Sequence, residues 1–191
     1  HTYPRSFSRW KRRWRQCAGA GDHKIYIIGG SVSYPYSSVN MMEMYDPATD
    51  TWNQEGTIPR TVMDSGTAQI NGKIYVIGGD LTGNGQRVDE YDVASETWSQ
   101  KTNMPTERSY LSCSVLDEKI YAMGGHLFPS HEYMAIVEIY DPVTDVWTEG
   151  TDLITARVGL SVSTVDGKIY AIGGLTDKYH PTSRRVEIYY K

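Results

Sequence analysis

Side chains able to carry out chemistry are thinly spread along these 191 residues. Cys17 and Cys113 are the two cysteines, and five histidines are scattered through the chain. There is no Cys-x-x-Cys pair and no His/Cys cluster, so neither a zinc site nor a disulfide framework is expected. Both cysteines lie in alternating apolar stretches, at similar places in two repeats, which suits small buried thiols in a reducing compartment. No nucleophile–base pair and no phosphate loop ending in Gly-Lys-Ser/Thr is present. The reading is a non-enzyme with no catalytic residue, no metal and no cofactor. What remains is binding chemistry, carried by arginine, tyrosine and histidine.

The elements that hold those residues are written as a repeat, which takes precedence over local secondary-structure signals. Lys-Ile-Tyr begins at Lys24, Lys73, Lys119 and Lys168, spaced by 49, 46 and 49 residues. Each copy runs into a double glycine: Gly29-Gly30, Gly78-Gly79, Gly124-Gly125 and Gly173-Gly174. An acid and a tyrosine follow in each: Glu43/Tyr45, Asp89/Tyr91, Glu138/Tyr140 and Glu187/Tyr189. Trp52, Trp98 and Trp147 stand seven residues after the first three tyrosines.

Strand physics fits the pattern. Ile25-Tyr26-Ile27-Ile28 is apolar on both faces, as in a strand of a sheet packed between two others. The preceding segments alternate and meet it through Asn71-Gly72, Asp117-Glu118 or Asp166-Gly167, which predict tight hairpins. Asp46-Pro47-Ala48-Thr49-Asp50 and Asp141-Pro142-Val143-Thr144-Asp145 predict turns between the tyrosine and tryptophan strands. Each repeat is therefore four antiparallel strands, a to d from the inside out, with the Tyr and Trp rings packed together and buried. No segment has a sustained helical period, and the fold class is all-β.

Registered in this way, the motifs resemble the kelch repeat over essentially the whole chain, and the resemblance implies a β-propeller. Blades fall at about 6–55, 56–102, 103–150 and 151–191, with residues 1–5 as the outer strand of the last. Either those residues close a four-bladed ring, or the four blades form part of a larger one.

Alternating strand direction brings the b–c and d–a connections to one face. The a–b turns on the other face are minimal, whereas the b–c loops are long and variable, and variable loops on a rigid scaffold are where binding resides. They carry Tyr34, Tyr36, Asn84, His126, Phe128, His131, Tyr179 and His180, aromatic and polar anchors suited to a protein partner. In the d–a segments Arg13, Arg108 and Arg157 stand 11 residues before Lys-Ile-Tyr, with Arg60 near the corresponding place in repeat 2. With Glu43, Asp89, Glu138 and Glu187 they form a recurring ion-pair set, and recurrence in every blade reads as structural.

The motifs Val186-Glu187-Ile188-Tyr189 and Met104-Pro105 followed by Arg108 look most like the kelch half of BTB-kelch proteins, which select substrates for cullin-type ubiquitin ligases. Members hold short acidic peptide segments on the b–c/d–a face, using an arginine two residues beyond the blade arginine. That position is Arg15, Asp64, Tyr110 and Gly159 here, so Arg15 alone matches. The chain carries no BTB or BACK segment, so recruiting a ligase is not expected to be its own act.

Actin-binding and scaffold kelch proteins, and kelch-fold carbohydrate enzymes such as sialate mutarotases, are the alternative classes. Against an enzyme, the histidines do not assemble the copper site of galactose oxidase-like propellers. Asp177 and His180 likewise do not complete the iron triplet of plant specifier proteins.

The net charge of −4 hides an asymmetry. Residues 1–21 carry six cations and no acid, which leaves 13 cations against 23 acids in the rest. Trp10 and Trp14 interleave the basic stretch, but an acidic body disfavours nucleic acid as partner. No apolar run reaches the roughly 18 residues of a membrane helix, and no secretory leader is visible, so a cytoplasmic protein is expected.

Overall fold

The computed structural model describes residues 15–32, 37–79, 83, 85–127, 130, 132–176 and 183–190. The described residues form strands, turns and bends, and no helix. The first blade is β1 (Cys17–Gly21), β2 (Lys24–Ile28), β3 (Val39–Asp46) and β4 (Thr51–Val62), paired in that order. The second is β5 (Gly66–Ile70), β6 (Lys73–Ile77), β7 (Val88–Asp92) and β8 (Thr97–Lys101). In the third, β9 (Ser112–Leu116) and β10 (Lys119–Met123) precede a short hairpin, β11 (His126–Leu127) with β12 (Glu132–Tyr133). That blade is completed by β13 (Val137–Asp141) and β14 (Val146–Glu149). The last shows β15 (Ser161–Val165), β16 (Lys168–Ile172) and β17 (Val186–Tyr189). Its proposed fourth strand, residues 1–5, lies outside the described residues.

All pairings are antiparallel, and the hairpins expected from sequence are tight. Gly21 pairs with Lys24, Ile70 with Lys73, Leu116 with Lys119 and Val165 with Lys168. The two turn residues in between have positive φ throughout, from Asp22 and His23 to Asp166 and Gly167. This left-handed pair matches the twist of the flanking strands. At the other end of each blade, the Asp141 carboxylate accepts the Val143 N–H at 2.9 Å, and Tyr140 donates its hydroxyl to left-handed Asp145 at 2.5 Å. The tyrosine and the acid five residues later thus form one turn-locking device, used again by Tyr45 and Asp50.

The double glycines have a steric cause. Gly78 and Gly124 have φ near +64° and +63°, and a Cβ there would lie 2.7 Å and 2.6 Å from the carbonyl oxygens of Arg108 and Arg157 in the following blade. Only glycine supplies both the conformation and the clearance.

Cores lie between blades. Tyr26, Ile28 and Met42 of the first pack on Ile74, Val76 and Tyr91 of the second. Tyr75, Ile77 and Val88 meet Ile120, Ala122 and Tyr140, and Tyr121, Met123 and Val137 meet Ile169 and Ala171. The Tyr–Trp pairs form as expected, with centroids 5.0–5.1 Å apart. The tryptophans are only half-buried, contrary to the expectation of full burial, because they stand on outermost strands with solvent on one side. Trp147 adds a stitch between blades by donating its ring N–H to the Thr102 carbonyl at 3.0 Å.

Candidate functional site

The inner strands pack in the order β1, β5, β9 and β15. Just before each stands the residue nine places ahead of Lys-Ile-Tyr. Arg15, Asp64, Tyr110 and Gly159 all adopt left-handed backbone, with φ of 60°, 58°, 56° and 61°. They are joined by a ladder running across the blades. Asp64 N–H donates to the Arg15 carbonyl at 3.1 Å, Tyr110 N–H to Asp64 at 2.7 Å and Gly159 N–H to Tyr110 at 2.9 Å. Glycine accepts this conformation without penalty and aspartate tolerates it. For arginine and tyrosine it is strained, and such strain persists only where surrounding bonds over-determine it.

The ladder gathers side chains from four connections. Arg15 Nε lies 3.3 Å from Asp64 Oδ1, and its guanidinium carbon stands 4.7 Å from the centre of the Tyr110 ring. The other contact of Tyr110 is His126, whose ring centroid is 5.0 Å away. His126 comes from the b–c loop of the third blade and is fixed to the d–a segment by a reciprocal backbone pair with Ser109 at 2.9 and 3.1 Å. Its Nδ1 lies 3.3 Å from Ser109 Oγ. Ser109 and His126 are both buried. The product is a cluster in which the Tyr110 ring meets both the Arg15 guanidinium and, tilted by 46°, the His126 imidazole, flanked by the Asp64 carboxylate.

Asp64 is poorly satisfied. Its Oδ2 and the neighbouring Ser65 Oγ are buried without a hydrogen-bond partner among the described residues. Burial pushes the Asp64 carboxyl up to about 6, and the Arg15 charge only partly opposes this.

A second set of arginines lies deeper. Arg108 donates to Glu138 at 2.6 Å and to the Gly124 and Ile136 carbonyls at 2.8 and 2.9 Å, so it clamps both ends of its b–c loop. Arg157 pairs with Glu187 and reaches the Gly173 and Arg185 carbonyls at 3.1 and 3.4 Å. In the second blade Arg60 reaches Asp89 at 2.7 Å, and Arg87 holds the same carboxylate from the other side at 2.8 Å. These pairs agree with the structural reading, and Arg13 lies outside the described residues.

Of the sequence-predicted site, Arg15, Asp64, Tyr110 and His126 come together. Tyr34, Tyr36, Asn84, Phe128, His131, Tyr179 and His180 lie outside the described residues. Sequence reasoning missed Ser109 and Ser65. Each adjoins a left-handed residue, and the repeat register could have pointed to both. Among the described residues, no group of three His, Cys, Asp or Glu side chains could hold a metal. Cys17 and Cys113 are buried thiols, and burial pushes the Cys113 thiol up to about 12. No helix among the described residues is long and apolar enough to cross a membrane.

A family model described as the KLHDC2/KLHL20/DRC7 Kelch-repeats domain matches residues 15–187. Human Kelch-like protein 35 is 30% identical over 83 residues, covering 44% of this chain and 14% of the relative. Kelch repeat and BTB domain-containing protein 1 of camelpox virus (strain CMS) is 35% identical over 83 residues, covering 43% and 13%. A putative F-box/kelch-repeat protein of Arabidopsis thaliana is 38% identical over 77 residues, covering 33% and 20%. The matched segments thus span a fifth or less of these relatives.

Proposed function

Since the chain belongs to the kelch-repeat family, we propose that it is a non-enzymatic protein-interaction module that binds an acidic peptide segment of a partner on its b–c/d–a face. The observation that carries this reading is the cluster of Arg15, Tyr110 and His126 before the inner strands, with Arg15 and Tyr110 held on left-handed backbone. Strained non-glycine residues gathered at a loop-rich face point to function. Arg15 offers a charge-assisted donor, and the tyrosine and histidine rings beside it offer amphipathic contact at low entropy cost.

The relatives' names join kelch repeats with BTB or F-box domains. Together with the resemblance to BTB-kelch proteins, this supports assigning the chain the substrate-recognition part of a cullin-type ubiquitin ligase. The test is an array of immobilised peptides, acidic, neutral and basic, probed with the whole chain. Acidic peptides should retain it, and Arg15→Ala should weaken retention by about 1–3 kcal/mol, as for a hydrogen bond to a charged group. Retention that ignores peptide charge or survives Arg15→Ala unchanged contradicts the reading.

A further inference from the structure

The third blade has a neighbour on each side, and its b–c/d–a end carries a solvent-open cavity of about 430 Å³. Glu138 of β13, Glu149 of β14 and Asp152 of the following connection line it, together with Thr106 and Ile136. Glu138 and Glu149 stand directly opposite each other across the two strands. Like charges in that register repel, and the first two blades avoid it, setting Glu43 opposite Gln54 and Asp89 opposite Gln100. Inside the chain Glu138 is held by Arg108 at 2.6 Å and by the Thr106 hydroxyl at 2.8 Å. Asp152 accepts the Val137 N–H at 3.4 Å, and neither it nor the exposed Glu149 has a cationic partner among the described residues.

The second blade shows what occupies this place when the chain fills it. Thr106, Ile136, Glu138, Glu149 and Asp152 correspond in the repeat to Arg60, Arg87, Asp89, Gln100 and Asn103. There two guanidiniums grip one carboxylate, Arg60 at 2.7 Å and Arg87 at 2.8 and 2.9 Å. The fourth blade keeps half of the device, with Arg185 at the Arg87 position reaching the Thr155 hydroxyl at 3.4 Å. In the third blade both arginine positions are uncharged, while Gln and Asn have become Glu149 and Asp152. Arg108 enters from the position of Val62 and neutralises Glu138, which leaves two carboxylates at an open cavity. Among the described residues no such group is placed to share a metal ion, so the missing cation is an organic one.

We propose that this cavity receives the arginine side chain of a partner protein, its guanidinium taking the place that Arg87 fills in the second blade and bridging Glu149 and Asp152 beside Glu138. A planar fork of donors serves two carboxylates at once, which the point charge of lysine does not. The site shares the b–c/d–a face with the Arg15 cluster but no residue with it, and it is independent of the acidic-peptide reading.

Titration of the isotope-labelled full chain with Ac-Gly-Arg-Gly-amide, followed through backbone amide chemical shifts, tests it. Shifts should concentrate at residues 136–138 and 149–152. The same peptide with citrulline, close in shape and uncharged, should leave them in place, and the lysine peptide should bind more weakly. Glu149→Gln should weaken the arginine peptide by about fivefold or more, as for loss of one charge-assisted hydrogen bond. Ile136→Arg, which copies Arg87, should abolish binding and raise the melting temperature. Because Glu149 is exposed, Glu149→Gln keeps the test decisive if Ile136→Arg fails to fold. Equal binding of the citrulline or lysine peptide, an affinity indifferent to Glu149→Gln, or shifts spread equally over the acidic turns at 46–50 and 92–96 overturns the proposal.

Discussion

Arg108 and Arg15 both stand in d–a connections beside carboxylates, yet their surroundings oppose one another. Arg108 is enclosed, with Glu138 and two backbone carbonyls arranged around its fork. Arg15 is part-exposed, makes a looser 3.3 Å contact with Asp64, and lies against a ring that also faces His126. The first arrangement recurs in the fourth blade with Arg157 and Glu187. The second occurs in one place, because the repeat-equivalent positions hold Asp64, Tyr110 and Gly159. An arginine copied from blade to blade maintains architecture, whereas the one set among unlike equivalents is the one proposed to serve recognition. Position within the repeat, rather than residue type, separates the two.

The contrast breaks most visibly in stability. Arg108→Ala leaves Glu138 buried without its partner and should cost about 3–5 kcal/mol in urea denaturation. Arg15→Ala should cost less, about 1–2 kcal/mol, because the guanidinium is part-exposed although its partner Asp64 is buried. Equal losses would remove the distinction. Between these extremes, Trp98→Ala should cost about 2–3 kcal/mol, at or below the low end for a large aromatic because the ring is already partly solvated.

Asp64 gives the stability of the Arg15 site a pH dependence. Its folded-state carboxyl titrates near 6 against an ordinary value of 3.8, so the folded protein binds more protons than the unfolded chain between those limits. Stability should therefore fall as pH rises from about 4 to about 6. Asp64→Asn should flatten that slope and stabilise the chain by about 1–2 kcal/mol at pH 7, read as a raised melting temperature that returns to the parent value near pH 4. A parent chain whose melting is flat across this window would contradict the burial assigned to Asp64. The smallest effect is chemical. Cys113 should resist thiol reagents at pH 8 while the chain is folded and react on unfolding, since burial holds its proton.

Much of this architecture is legible because it is enforced locally and repeatedly. Asn71-Gly72 and Asp166-Gly167 announce their hairpins, and the double glycines announce a close approach that a Cβ would block. The buried ion pairs are legible as well, since Arg108 and Arg157 keep their distance from Lys-Ile-Tyr. The cluster around Arg15 is only half legible. Register places Arg15, Asp64 and Tyr110 at equivalent positions, but neither arginine nor tyrosine signals left-handed backbone. That conformation comes from a ladder between residues nearly fifty apart. The contact of His126 with Tyr110 likewise depends on the backbone pair of His126 with Ser109, which residue spacing does not convey. The half-burial of the tryptophans is set by their place on outer strands, which spacing alone does not convey.

The central claim is that partners engage the b–c/d–a face through the cluster of Arg15, Tyr110 and His126. Hydrogen exchange of the chain, with and without a retained acidic peptide, tests this claim most directly. Binding should slow exchange at residues 63–65, 109–111 and 126, and leave the hairpins at 71–72 and 166–167 unchanged. Protection confined to the hairpin face, or spread evenly over both faces, would contradict it.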